Sequence, residues 1–407
     1  MKNLIQKWNS LSLVVRIVSG LLLGAILGLT IPQMSAIGVL GNIFVGALKG
    51  IAPILVFVLI LSSIANAANF IGSRFRTVIL LYLITTLCAS FVAVIISFAF
   101  PVTLTLTAAV DGTAPANIWE VLGNLLTNMV QNPIAAIAGG NYIGILTWAI
   151  VFGLAMKNLA TESSKVLLKN IADAVSMVVR WIIQLAPFGI LGLVFTAVAT
   201  SGLDIFVDYG KLLLVLVGGM LFVALAINPL IIFLLLRKNP YPLVFRCLKE
   251  SGVTAFFTRS SAANIPVNMQ LCQKLGLDKD IYSIAIPLGA TINMNGAAVT
   301  IAVMTLAAAH TLGVAVDIPS AIILCVLATF AACGASGVAG GSLLLIPMAC
   351  SLFGIGNDIA MQVVAVGFII GVIQDSVETA LNSAGDVIFT ATAEFYERRK
   401  AGKEFKF

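Results

Sequence analysis

The sequence predicts an all-α polytopic membrane protein with eight transmembrane helices and two re-entrant helical hairpins. Three observations predict it. Of 407 residues, 60% are hydrophobic and only 10% charged, with a mean hydropathy of +1.09. Soluble domains carry about 25% charged residues, so this chain has too few to wet a globular surface. Its apolar runs are long and contain glycine, which suits spanning helices and excludes the short alternating strands of an outer-membrane barrel. Two further runs are broken in the middle by small, polar or helix-stopping residues.

Taken in order, 13–31, 38–65, 77–100, 141–157, 166–199, 209–236, 281–309 and 358–392 read as complete spans. Lys2, Lys7 and Arg16 lead into the first, and no A-x-A cleavage site follows. A retained helix is expected there, not a signal peptide. The broken runs are 243–271 and 319–352. The first is interrupted by Thr258-Arg259-Ser260-Ser261-Ala262-Ala263-Asn264-Ile265-Pro266, the second by the stretch Cys333 to Ser342, which holds Gly334, Gly337, Gly340 and Gly341. Each reads as two half-helices meeting at a tip.

Charge placement tests this division. If both broken runs dip in and return, the two termini share a side with Arg74/Arg76, Lys157/Lys165/Lys169, Arg237/Lys238/Arg246/Lys249, Lys274/Lys279 and the basic tail. The opposite loops then hold Asp111, Glu120, Asp204, Asp208, Asp317 and Asp358. The positive-inside rule makes the basic side cytoplasmic, so both termini are expected in the cytoplasm of a multi-pass bacterial inner-membrane protein. Reading the broken runs as full spans would put Lys274 and Lys279 outside. The net charge of +6 is accounted for by these loops; lipid is the expected environment and nucleic acid is not an expected partner.

Several chemistries lack sequence support. Six cysteines include no C-x-x-C pair and lie mostly in apolar runs, which argues against a disulfide framework. A single histidine, His310, cannot build a His-rich metal site. Neither a phosphate-binding G-x-x-x-x-G-K-[ST] nor an H-E-x-x-H motif occurs, and no organic cofactor or enzymatic activity is expected. Paired interrupted segments point instead to an inverted-repeat secondary transporter. Irregular backbone at membrane depth must be buried in protein or line a cavity. A channel, or two kinked helices packed through small residues, are the alternatives.

The last span carries the most chemistry. Asp375, Thr379, Asn382 and Asp386 fall at offsets of 0, 4, 7 and 11, one narrow helix face, with Glu378 flanking it. Intramembrane carboxylates are costly and mark ion or substrate paths. In the preceding span, Gly289 and Gly296 bracket Thr291, Asn293 and Asn295, which suggests local unwinding. Opened carbonyls and Asn oxygens form the hard-oxygen shell that Na⁺ needs; a glycine-kinked helix with hydrogen-bonded Asn is the bland alternative.

Pro287–Gly296, the two tips and Asp375–Asp386 together resemble the dicarboxylate/amino acid:cation symporters, which share the inverted-repeat glutamate-transporter fold. The resemblance covers essentially the whole chain and is strongest to the bacterial sodium/serine–threonine symporters. It implies that Asp375 holds a substrate ammonium group. Asn382, Thr379 and the Ser260/Ser261 backbone would hold the carboxylate, and the Val338 backbone would also contact the ammonium. Gly289, Asn293, Asn382 and Asp386 match one sodium site; Thr291 with the carbonyls of Ala332, Cys333 and Ala335 matches a second. Arg259 sits where acidic-substrate relatives can also carry arginine. The resemblance further implies a homotrimer whose scaffold (1–70 and 106–202) holds a mobile transport part (71–105 and 203–393), with 394–407 a basic tail and the second tip a gate.

Two departures from the family pattern matter. Asn295 stands where many relatives carry the aspartate of an N-M-D-G motif, which argues for fewer coupled ions. Glu378 stands where carriers of acidic amino acids place an arginine, and an acid repels a second carboxylate. Either Glu378 pairs with a cation such as Arg259 or it takes up a proton; in both forms it can bond a hydroxyl. The expectation is alternating-access import of L-serine and L-threonine with Na⁺. The rivals are a symporter driven by Na⁺ or H⁺ for another small neutral or acidic amino acid, an ion or solute channel, and an intramembrane enzyme using Asp375 and Glu378 as an acid–base pair.

Overall fold

The computed structural model describes residues 11–66, 73–106, 123, 126–335, 339–405 and 407. Every regular element among them is helical, and seven stretches are long and apolar enough to cross a membrane. Helix α1 (Leu13–Thr30) starts where the Ser12 side chain accepts a hydrogen bond from the Val15 amide. Helices α2 (Gly38–Ala65), α3 (Ser73–Ala99), the short α4 (Pro133–Gly139) and α5 (Tyr142–Leu159) follow.

The span expected over 166–199 is two helices, α6 (Glu162–Gln184) and α7 (Ala186–Ser201). Pro187, at the start of α7, has no N–H to continue the α6 ladder, and the chain breaks at Leu185. Helices α8 (Ile205–Phe222) and α9 (Asn228–Leu236) join through a π-helical turn at Val223–Ile227, just before Pro229. Together Ala186–Leu236 is an apolar run of 51 residues. Straight, it would reach about 77 Å, more than twice a bilayer core of about 30 Å. Gly202, at φ 68°, turns the chain inside it.

The first broken run folds as a helix–turn–helix. Helices α10 (Tyr241–Cys247) and α11 (Val253–Thr258), joined by a π-turn at Leu248–Gly252, run up to Arg259. Arg259 adopts a left-handed φ of 52°, and Ser260 caps α12 (Ser261–Lys274). Helix α13 (Lys279–Ile292) stops at Asn293 and α14 (Asn295–Thr311) resumes after Met294, the unwinding that the flanking glycines suggested. The second broken run gives α15 (Ile318–Ala332), then a 3₁₀ turn at Ser342–Leu345 leading into α16 (Ile346–Ser351). Helix α17 (Asn357–Lys400) continues past the expected end at 392. The tail beyond it does not trail away: Phe405 and Phe407 pack on Phe395 with ring centroids 5.0 and 5.7 Å away, and Lys238 lies 4.1 Å over Phe405.

Packing sorts these helices into two groups. Helix α1 lies on α7, and α2 lies on α5, α6 and α7. Helix α14 packs on α3, α15, α16 and α17, while α17 also receives α8 and both arms of the first helix–turn–helix. In the first group the approach is very close. Gly20, Gly24 and Gly28 face the carbonyls of Pro187, Leu191 and Phe195, where an added Cβ would lie 2.1, 2.5 and 2.9 Å from those oxygens. A stripe of glycine at every fourth residue lets the two backbones touch.

Candidate functional site

Helix α17 threads the second group and presents its polar face to three partners. At its centre the buried Asp375 carboxylate accepts from Arg259 Nε at 2.7 Å and from the Gly340 amide at 3.1 Å. It therefore ties together the tips of both interrupted segments. Thr379, one turn on, hydrogen-bonds back to the Asp375 carbonyl at 2.7 Å. Asn382 accepts from the Gly296 amide at 2.7 Å, while its Nδ2 meets only the Met294 sulfur, a weak acceptor, at 3.4 Å. Gly296 has no room for a side chain: a Cβ there would lie 2.9 Å from the Glu378 backbone.

Glu378 is not paired with Arg259, one of the two options the sequence left open. Its Oε2 accepts from Thr300 Oγ1 at 2.7 Å, Ser342 Oγ at 2.8 Å and Gln374 Nε2 at 2.6 Å. Two acids three residues apart on α17 thus have opposite surroundings. Asp375 faces a guanidinium; Glu378 faces three neutral donors.

Deeper along α17, Asp386 is fully buried. Asn293 Nδ2 bonds Asp386 Oδ1 and the Asn382 carbonyl, each at 3.0 Å. The remaining oxygens, Asn293 Oδ1 and Asp386 Oδ2, are buried with no hydrogen-bond partner. Two unpaired acceptors in one apolar setting are a costly arrangement, and a hard cation relieves it. Gly289 makes this possible, because a Cβ would lie 2.7 Å from both Asp386 Oδ1 and the Tyr82 hydroxyl. Tyr82 in turn lies 3.1 Å from the Asp386 carbonyl. Asn295 is placed differently: its Oδ1 lies 2.8 Å from the Thr86 hydroxyl and 3.3 Å from that of Thr85, both of which also reach the Tyr82 carbonyl, and its Nδ2 is buried without a partner among the described residues.

The second ion site expected from the sequence is brought together only in part. Cys333 Sγ donates to the Ile292 carbonyl at 3.5 Å, which puts the end of α15 against the unwound end of α13. Ala332 and Ala335 are buried nearby in the chain, whereas Thr291 is exposed and bonds the Leu288 carbonyl at 2.7 Å. Val338 lies outside the described residues. Ser261 is buried at the start of α12, and Ser260 Oγ accepts from the Ala263 amide at 3.2 Å. A cavity of about 990 Å³ reaches both tips: its lining includes Arg259, Ser260, Thr291, Cys333 and Ala339, together with Ser62, Lys169 and Arg180.

A buried amide–hydroxyl cluster clamps the first helix–turn–helix onto α17. Asn264 Nδ2 lies within 3.2 Å of Ser251 Oγ, Asn268 Oδ1 and Ser383 Oγ, and Asn268 Nδ2 bonds the Ser383 carbonyl at 3.1 Å. Ser383 adjoins Asn382, so the clamp positions the site. Sequence reasoning missed the roles of Thr300, Gln374, Ser342, Tyr82 and Thr86. Only Gln374, four residues before Glu378 on the same helix face, carried a spacing signal.

Residues 13–394 match the sodium:dicarboxylate symporter family. The chain belongs to that family. The family assignment agrees with the resemblance carried by Pro287–Gly296 and Asp375–Asp386. Among its members, the Serine/threonine transporter SstT of Bifidobacterium adolescentis is 64% identical over 398 residues, 98% of this chain and 93% of that protein. The protein of the same name from Streptococcus thermophilus is 59% identical over 396 residues, 97% of this chain and 98% of that protein. A Streptococcus agalactiae counterpart is 58% identical over 396 residues, with the same coverage.

Proposed function

We propose that this symporter-family chain is a secondary active transporter that imports L-serine and L-threonine together with Na⁺ by alternating access. One observation carries the reading. A single helix, α17, offers the Asp375 carboxylate at the meeting point of two tips and, three turns on, the Asp386 carboxylate, whose unpaired Oδ2 is accompanied by the unpaired Oδ1 of Asn293 from the α13–α14 break. The first suits a substrate ammonium, the second a bare cation, and their common helix couples them. The names of relatives 58–64% identical over nearly the whole chain support serine and threonine as cargo.

In this reading the substrate ammonium sits on Asp375, its carboxylate between the Ser260/Ser261 turn, Thr379 and Asn382, and its hydroxyl on Glu378, with Val338 supplying a backbone contact. Asp386, Asn293, Asn382 and Gly289 form the Na⁺ site, and Thr291 with the Ala332, Cys333 and Ala335 carbonyls a second. Asn295 brings no carboxylate charge to an ion, so this reading assigns no further Na⁺ there. Each Na⁺ that enters with a zwitterion moves one charge, worth about 2.3 kcal/mol per 100 mV.

The same reading gives eight passes and two re-entrant hairpins, with both termini cytoplasmic in a bacterial inner membrane. Ala186–Leu236 then supplies two passes about Gly202. Helices α1, α2 and α4–α7 form the scaffold of a homotrimer; α3 and α8–α17 form the moving part. Packing that is denser within each group than between them supports that division. Lys169 and Arg180 in the cavity lining support an opening toward the basic side, cytoplasmic in this reading. Uptake of a panel of labelled amino acids into proteoliposomes tests the reading. Serine and threonine should accumulate with an inward Na⁺ gradient and not with K⁺ or choline. Accumulation driven by a proton gradient in Na⁺-free buffer, or downhill flux alone, would refute it.

A further inference from the structure

Among the described residues, the donors that reach Glu378 all bond one of its two oxygens. Thr300, Ser342 and Gln374, each at most 1% exposed, point hydrogens at Oε2. Gln374 Nε2 spends its other hydrogen on Thr300 Oγ1 at 2.7 Å, which commits the Thr300 proton to Glu378. With Glu378 ionised this amide orientation is required, because the reverse would set two acceptors 2.6 Å apart. What remains is acceptors. The bonds to Glu378 from described residues all end on Oε2, none on Oε1, and Gln374 Oε1 is buried without a partner among them.

We propose that Thr300, Gln374 and Ser342 are positioning residues that make the Glu378 pocket acceptor-only, so that it selects amino acids whose side chain brings its own proton. The inference rests on the serine/threonine reading above: with the ammonium on Asp375, Glu378 lies one turn along α17, beside the substrate side chain. A serine or threonine hydroxyl donates into the pocket. An alanine methyl leaves its acceptors dry, and sites built to bond a hydroxyl reject analogues that lack one. A substrate carboxylate meets the like charge of the ionised Glu378.

The test is competition of unlabelled serine and alanine against labelled serine in Na⁺-energised proteoliposomes. Thr300→Val removes one donor to Glu378 and the acceptor that orients Gln374, so the serine-over-alanine preference should fall about tenfold or more. Thr300→Ser should restore it. Ser342→Ala, on a separate segment, should shift the preference the same way by a smaller factor, and it keeps the test alive if Thr300→Val does not fold. An unchanged preference in whichever of these variants folds overturns the proposal, as does a Thr300→Ser protein no more selective than Thr300→Val. Failure of the unmodified protein to concentrate serine would instead overturn the functional reading itself.

Discussion

The α1–α7 contact and the α14–α17 contact solve the same packing problem in opposite ways. Both rely on glycines that leave no room for a Cβ. Along α1 those glycines meet bare carbonyls, and the helix is only 22% buried, its other faces apolar and exposed. Around α14 the glycines meet Glu378, Asp386 and Tyr82, and the segment is 94% buried. Close approach in the first case builds a seam; in the second it brings charged and amide oxygens within bonding distance of each other. A glycine stripe alone therefore signals packing. Glycine interleaved with amides signals a site.

Breaking the seam should have the largest effect. Gly24→Val would drive side-chain atoms into the Leu191 carbonyl, with overpacking of about 3 kcal/mol, and should eliminate folded protein by size-exclusion profile and thermal melt. The polar contact should fail in function first. Glu378→Arg should abolish serine uptake and admit measurable aspartate binding, whereas Glu378→Gln should retain part of the serine uptake; radiolabel competition on purified protein reads both. Glu378→Arg protein that still prefers serine to aspartate would remove Glu378 from the side-chain pocket. Asp386→Asn should raise the Na⁺ concentration for half-maximal uptake by about tenfold, the loss of one charged partner, with expression largely kept. An unchanged Na⁺ dependence would move the ion site elsewhere. The smallest effect belongs to the Lys49–Asp358 pair between α2 and the start of α17. Its side chains are 42% and 84% exposed, and such pairs contribute about 1 kcal/mol or less. Asp358→Asn should shift the melting temperature by no more than a few degrees.

Sequence reasoning reached the site where local spacing carried the chemistry. Asp375, Thr379, Asn382 and Asp386 declare one face through helical periodicity, and Gly289 and Gly296 announce the break at Asn293. The break at Leu185 was missed although Lys169, Asp173, Arg180 and Pro187 interrupt the apolar residues of 166–199. Partners across sequence gaps of more than 70 residues stayed invisible: Thr300 and Glu378 meet only when α14 lies on α17. Arg259 was available to either acid by sequence. Its left-handed backbone at the tip directs it to Asp375, and no periodicity in the chain encodes that choice. The basic tail 394–407 was legible as charge alone; the packing of Phe405 and Phe407 on Phe395 carries no periodic signal in the sequence.

Coupling through α17 is the centre of this account, and equilibrium binding tests it most directly. Serine affinity is measured on the purified, full-length protein as Na⁺ replaces choline at constant ionic strength. Substrate and ion sites on one helix predict that serine binds progressively tighter as Na⁺ rises, and by linkage that serine tightens Na⁺ binding by the same factor. Asp386→Asn should flatten that dependence over the same Na⁺ range. Serine binding that is equally tight with and without Na⁺ would contradict it.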